Sequence, residues 1–387
     1  MSQNLEFQQK PTTFITPPPG VVINHKYVKD GHYVGSPSIA KLKDGVYVAS
    51  HDLFGPKTKE HEHATTLVFR SENAGKTWTQ VATIDPAFWS GLFVHKGALY
   101  LMGTTHHHGL IAIRRSDDGG YTWTQPENAH SGLITPYGQY HTAPTALTIH
   151  NGRIWRAMED ATASTVWGER YNPIMLSAPL DADLLRRDSW SLTPVLRHSK
   201  EWLDGHFSAW LEGNAVVLPD GRLGNILRVD RKISNTAAIV TLSEDGKALE
   251  FDPNNDFIDF AGGATKFSIR KDDQSGLYWT LSNAVPSIHE VCDKQTFQRN
   301  ALALMVSKDA RHWEIRYVAL YHPDPSYHGF QYVDWLFEED DIIVASRTAW
   351  DDDQGGAENQ HDANYLTFHR IQNFRELTID DSPNNPF

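Results

Sequence analysis

Cysteine is almost missing from this chain: Cys292 is the only one among 387 residues. An internal disulfide framework and a cysteine-based metal site are therefore excluded. Long apolar runs are missing too, so the sequence offers no transmembrane helix. The opening stretch MSQNLEFQQKPTTFITPPPG lacks the apolar core of a signal peptide. The expectation is a cytoplasmic protein, or a periplasmic or secreted one whose signal has been removed. Basic charge is in deficit, with 35 Lys and Arg against 48 Asp and Glu and a net charge of −13. That balance argues against nucleic acid or an anionic membrane surface as a partner. An anionic small ligand stays open, because a few clustered arginines make a basic pocket on an acidic protein.

Aromatic residues, by contrast, are plentiful: they form 11% of the chain and include 12 Trp. Helix-favouring charge patterns are scarce, and the mix reads as β-rich. One unit recurs along the sequence, an apolar run, a Gly or Asp turn and a second apolar run. It appears as AKLKDGVYVAS at Gly45, LFVHKGALYLM at Gly97 and LTIHNGRIWRA at Gly152. It returns as VVLPDGRLGNIL at Gly221, RKDDQSGLYWTL at Gly276 and LFEEDDIIVAS at Asp341. Such turns between alternating segments are hairpin signals. Successive turns lie 52 to 69 residues apart, room for about four short strands each, the content of one propeller blade.

A second motif supports this organisation. SDDGGYTW (Ser116–Trp123) is a complete Asp-box, SENAGKTW (Ser71–Trp78) carries Asn73 in the Asp place, and SKDARHW (Ser307–Trp313) is a shortened copy. Its Asp or Asn caps a β-turn between the two outer strands of a blade, and its Trp packs between blades. The expectation is an all-β, six-bladed β-propeller of four-stranded antiparallel blades, with seven blades as the alternative. Residues 1–30 read as a flexible lead-in, 31–376 as one propeller domain and 377–387 as a tail. Nothing in the sequence signals strand pairing between chains, so a monomer or weak homo-oligomer is expected. Over roughly residues 30 to 376 the chain resembles the sialidase-like propellers.

Counting outward from each turn gathers polar residues at one mouth of such a propeller. Before the turns stand Ser36, His141, Glu212, Lys266 and Tyr332; after them stand His51, the run His106, His107 and His108, Arg228 and Arg347. Part of this set is similar to the sialidases. Glu212 and Arg228, 16 residues apart, resemble the pair in which a Glu polarises the tyrosine nucleophile and an Arg holds the substrate carboxylate. Arg299, before the last Asp-box, stands where the family has another carboxylate-binding Arg, and Tyr332 stands where its nucleophile stands. The chain departs from that pattern at GSPS, where Gly35 occupies the place of the family's first arginine. HEHATT (His61–Thr66) likewise stands where the acid/base Asp is expected.

These departures turn attention to the histidines. Removing the proton beside a uronate carboxylate needs a neutralising cation, a base of near-neutral pKa and a proton donor to the leaving oxygen. His107 or His108, His141, Tyr332 and Arg228 offer that set. In residue type and blade position it is similar to the ulvan lyases and related rhamnose–glucuronate lyases, although Glu212 stands where a tyrosine is expected. His51 is similar in placement to the early-blade histidine of a related rhamnosidase. The leading expectation is therefore a polysaccharide lyase cleaving uronate-containing glycan by β-elimination. His107, His108, His141, Tyr332 and Glu212 are its candidate catalytic groups; Arg228, Arg299, Lys266, Arg347, His51 and His361 are its candidate substrate-binding groups. The alternatives are a sialidase-like or rhamnosidase-like glycoside hydrolase and a non-catalytic glycan-binding propeller. No cofactor is expected. On an extended strand only His106 and His108 would share a face for a metal. The acidic segment with Asp351, Asp352, Asp353, Glu358, His361 and Asp362 reads as a solvated insertion, with structural Ca²⁺ as its alternative.

Overall fold

All six turns close antiparallel pairs, with Lys41 opposite Tyr47, His95 opposite Ala98, His150 opposite Arg153, Val217 opposite Leu223, Lys271 opposite Tyr278 and Glu338 opposite Asp341. At the second turn Lys96 and Gly97 both take positive φ, 48° and 80°, the backbone a two-residue hairpin requires for its twist to match the strands. The computed structural model describes residues 16–231, 233–289 and 295–387; Cys292 lies outside them. Six antiparallel sheets follow one another along the chain. They are the blades of a six-bladed propeller, and no seventh is present among the described residues.

Within a blade the strands run from the axis outward in chain order. Blade four shows the plan, with Ala209–Val217 innermost, then Leu223–Asp230, Thr236–Leu242 and a short outer pairing with Leu249–Glu250. Blade two has only three strands, Phe88–His95, Ala98–Thr104 and Ile111–Ser116, and a single bridge from Ala112 to Leu133 takes the place of its fourth. Blade six closes the ring. Gly329–Glu338, Asp341–Ala349 and Tyr365–Ile371 come from the end of the chain, and Val21–His25 supplies the outermost strand. The expected lead-in thus ends earlier than residue 30, because these five residues complete a sheet whose edge would otherwise be open. The tail also docks: the Val318 amide donates to Ser382 Oγ at 2.9 Å.

The Asp-boxes behave as turn caps. Asp118 Oδ1 accepts the amides of Tyr121 and Thr122, and the Gly120 amide donates to Ser116 Oγ. Trp78 packs against Tyr47 of blade one and Phe368 of blade six. A further turn of this kind, unmarked in the sequence because it lacks the Trp, lies at Ser243–Asp245. There Ser243 Oγ donates to Asp245 and accepts the amides of Lys247 and Ala248. The core lies between successive sheets, as with Ile113, Ile154, Met158 and Leu176 between blades two and three. Each such buried side chain stabilises the fold by about 1.5–3 kcal/mol.

Candidate active site at the propeller mouth

Blades two, four and six carry a bulge at matching positions of their innermost strands. Pairing slips between Phe88 and Gly91, between Leu211 and Asn214, and between Gln331 and Asp334. At each slip one bulky residue is left-handed: Trp89 with φ 47°, Glu212 with φ 59° and Tyr332 with φ 52°. A side chain there costs on the order of 1–3 kcal/mol, and a bulge re-aims the residue it displaces. All three line one cavity of about 1090 Å³ at the propeller mouth.

Blades four to six form a wall of arginines around Tyr332. The Arg347 and Arg299 guanidinium carbons lie 4.8 and 5.3 Å from its ring centroid. Arg228 donates from Nη1 to Glu212 Oε2 at 3.0 Å and from Nη2 to Asp230 Oδ2 at 3.2 Å. Its Nε is buried without a protein partner. Burial opposes the charge on Arg228, but Glu212, Tyr332 and Asp230 outweigh it and hold its pKa above the usual value. Burial likewise raises the Glu212 carboxyl, yet Arg228 and His141 bring it below the ordinary range, so it stays ionised. Arg347 donates from Nε to the His361 carbonyl at 3.1 Å and lies 4.5 Å from the Phe54 ring centroid. Burial brings its pKa down to about 10, leaving it charged at neutral pH. Arg299 donates to Gln331 Oε1, whose amide nitrogen donates to the Gln360 and His361 carbonyls.

Blades one to three form a wall of aromatic and imidazole rings. Trp89 touches His107, His108 and His141 at centroid distances of 4.7, 5.4 and 4.3 Å. His107 and His108 stack at 4.3 Å, and His107 Nδ1 lies 2.9 Å from His61 Nδ1. Burial pushes His107 down to about 3 and His108 down to about 2, with neighbouring histidines adding to the shift, so both are uncharged. His141 Nδ1 lies 2.7 Å from the buried Glu159 carboxylate, which leaves Nε2 as its other nitrogen. Tyr171 packs on His141 at 4.6 Å, and Trp167 stands exposed at the rim. Arg170, the arginine on this side, is held by Gln139 and the Ala161 carbonyl.

Nine of the eleven candidate residues therefore line the cavity, and two do not. His51 is buried, stacked 5.7 Å from Phe69, with Nδ1 on the Asp52 carbonyl and Nε2 on Asn24. The strand's alternation points His51 away and brings Asp52 to the mouth. Lys266 is sealed beneath the cavity floor, donating to Ser268 Oγ at 2.7 Å and the Val333 carbonyl at 2.5 Å. Burial depresses its pKa to about 7, so it does not offer substrate a firm positive charge. The metal geometry expected of His106 and His108 also gives way. The strand ends at Thr104, His106 turns to Thr105 Oγ1, and His107 and His108 share the cavity face instead. Two of the carboxylates named for the calcium alternative hold their own loop: Asp352 takes the amides of Gln354 and Gly356, and Asp362 takes His361 and Asn359.

Sequence reasoning missed Asp52, Glu159, Trp89 and Tyr171. Asp52 matters most. It is buried, accepts the Trp89 amide at 3.1 Å and the Thr66 hydroxyl at 3.3 Å, and burial raises its pKa to about 7.

Neither a protein-family model nor a curated protein sequence matches the chain. Solved structures do. A Penicillium chrysogenum α-L-arabinanase complexed with arabinobiose aligns over 95% of this chain and 100% of its own, with TM-score 0.55 and 15% identity. The Hadza microbial sialidase Hz136 aligns over 91% and 68%, with TM-score 0.60 and 12% identity. A K499G mutant of NanB sialidase from Streptococcus pneumoniae aligns over 95% and 72%, with TM-score 0.58 and 12% identity. The chain has the sialidase-like propeller fold.

Two departures from the sialidase-like pattern now have a physical form. A Cβ on Gly35 would come within 2.7 Å of the Asp52 carbonyl, so an arginine there would displace that strand. The third guanidinium at this mouth comes instead from blade six, where Arg347 reaches across to Phe54 of blade one. HEHATT brings no carboxyl from the expected place, whereas Asp52, on the strand Tyr47–Phe54, lines the cavity.

Proposed function

We propose that the protein is a retaining glycoside hydrolase that acts on a carboxylate-bearing sugar. One observation carries this reading: Tyr332 lines the cavity together with three arginines and the ionised Glu212. Arg228, Arg299 and Arg347 suit a sugar carboxylate, which planar guanidinium groups hold by paired charge-assisted hydrogen bonds. Asp52, protonated below about pH 7, gives its proton to the leaving glycosidic oxygen while Tyr332 attacks the anomeric carbon. As that bond forms, the phenolic proton becomes acidic enough to pass to Glu212. In the second half Asp52 takes a proton from water, the water oxygen attacks the anomeric carbon, and Tyr332 leaves with its proton restored. The neutral rings of Trp89, Trp167 and Tyr171 would face the sugar's C–H surfaces.

The β-elimination expected from sequence keeps one supporting feature, the His141–Glu159 pair. A buried carboxylate orienting an imidazole is how a general base is held in one tautomer. The two chemistries leave different products. With acidic oligosaccharides carrying ulosonate or uronate termini, hydrolysis gives new reducing ends and no ultraviolet chromophore. A fluorinated glycosyl donor should then leave a covalent adduct on Tyr332, read by peptide mass spectrometry. Absorbance of an unsaturated uronate would instead establish elimination. Saturable binding without product from any glycan would leave a binding propeller and sink both enzymatic readings.

A further inference from the structure

Outside the cavity, a second cluster of ionisable groups lies where blade five hands over to blade six. His322 directly follows the strand Trp313–Tyr321, and His328 directly precedes Gly329–Glu338. One ligand atom from each of His322, Asp324 and His328 lies within 4.8 Å of the others. The imidazoles are stacked, with centroids 3.6 Å apart and planes 22° apart. His328 Nδ1 is 2.8 Å from Asp324 Oδ2, and its Nε2 is 3.4 Å from Asp351 Oδ2. Trp350 stands edge-on to both rings at 5.1 and 4.9 Å, giving the cluster an apolar side.

Ion pairing at His328 accounts for two aspartates, but not for a second imidazole brought face to face with the first. We infer that His322, Asp324 and His328 bind one divalent cation of the zinc type, with Asp351 holding the other nitrogen of His328 from outside the metal shell. Two imidazole nitrogens with one carboxylate oxygen form a three-ligand set of the kind zinc takes at about 2.0–2.2 Å, with water completing the tetrahedron. Calcium and magnesium, which prefer all-oxygen shells, suit it less. Binding replaces the hydrogen bond from the Asp324 amide to His322 Nδ1, now 3.1 Å long.

The ion has a mechanical consequence, because its ligands and the carboxylate that holds His328 belong to two segments. Asp351 opens the long connection that ends at Asn364, while His322 to His328 belong to the inter-blade link. The same two segments are already joined by the Gln360 amide donating to the Ser326 carbonyl at 2.7 Å. The Gln360 and His361 carbonyls in turn hold Gln331 and Arg347. A cation at the seam would therefore pin the segment that positions two of the arginines, whatever reaction the cavity performs.

The test strips the full-length protein with a chelator and titrates it with zinc chloride by calorimetry. One zinc per chain is expected, together with a higher thermal midpoint and, for cobalt(II), visible bands of tetrahedral intensity. His328→Ala should weaken zinc binding by roughly 100-fold or more, since even an indirect partner of a metal ligand is worth 10–100-fold. His322→Gln is the second variant should His328→Ala fail to fold. Absence of stoichiometric zinc binding overturns the site, and so does unchanged affinity in His322→Gln. Zinc lost in His61→Ala but kept in His322→Gln would move the ion to the cavity mouth and equally overturn it.

Discussion

The two walls of the cavity are built from the same kind of strand but carry opposite electrostatics. Blades four to six bring in Arg228, Arg299 and Arg347, with Glu212 and Asp230 as their counter-charges. Blades one to three bring in Trp89, His107, His108, His141 and Tyr171, whose rings crowd one another. Crowding keeps His107 and His108 neutral, because desolvation disfavours an imidazolium and each neighbouring ring would add repulsion. Paired carboxylates do the reverse on the arginine wall, where Arg228 stays charged despite full burial. A ligand bridging the walls would therefore meet three clustered guanidinium groups on one side and mainly flat rings on the other. An acidic sugar has that polarity, with a carboxylate at one end of a ring whose faces are partly C–H.

The comparison breaks most sharply at Tyr332. Tyr332→Phe keeps the ring between Arg299 and Arg347 and removes only the hydroxyl. Turnover should fall by about 10⁴-fold or more with an unchanged thermal midpoint, as for removal of a nucleophile. Activity above roughly a tenth of the parent would end the nucleophile assignment. Next comes Arg347→Ala, with an expected loss of about 10²–10³-fold in kcat/KM on an acidic substrate, on the scale of a buried charge-assisted contact. Arg347→Lys should recover little of it, because an ammonium cannot reproduce the fork. The matching change on the other wall, Arg170→Ala, should cost less than about tenfold, since this half-buried guanidinium is already taken up by Gln139 and the Ala161 carbonyl. Equal losses from the two arginines would erase the distinction between the walls.

Asp52 sharpens the comparison through pH. Burial raises its pKa from 3.8 to about 7, so the folded protein keeps this proton where the unfolded chain has already released it. The rate should fall as pH rises through about 7. Asp52→Asn should lower turnover by about 10²-fold and abolish that limb. Stability carries the same sign: between pH 4 and 7 the unfolded state binds fewer protons, so the parent loses stability as pH rises. Thermal midpoints over that range should decline more steeply for the parent than for Asp52→Asn, and parallel curves would place the Asp52 pKa near its ordinary value.

Most of the fold was legible because a propeller repeats its signals. Gly45, Gly97 and Gly152 mark turns whose strands follow automatically, and Trp78 and Trp123 mark outer corners. Val21–His25 was not legible as a strand, since its partner Tyr365–Ile371 lies at the far end of the chain. At the site, Glu212, Arg228 and Tyr332 were readable from their distance to the turns, and Arg299 from the resemblance to the sialidases. The errors at His51 and Lys266 were ones of direction, because a count of residues from a turn fixes depth along a strand but not the face. One step along the strand exchanged His51 for Asp52. Trp89 was hidden for a further reason: FWSG carries no sign that its backbone will turn left-handed, and without the bulge that indole would follow the ordinary alternation. Glu159 stayed hidden because the pairing of Tyr140–His141 with Glu159–Asp160 bridges a long broken strand.

The smallest expected effect lies in the histidine run His106–His108. His107→Gln preserves a neutral polar side chain, and His107 carries no charge to lose at neutral pH because burial holds its pKa near 3. If this wall only shapes the cavity, kcat should change by less than about tenfold, with the larger change in KM and an unaltered pH profile. A loss comparable to Tyr332→Phe, accompanied by a new limb in the profile, would make His107 a proton carrier. The reaction would then draw on both walls, and the neutral one would no longer be a mere platform for the sugar.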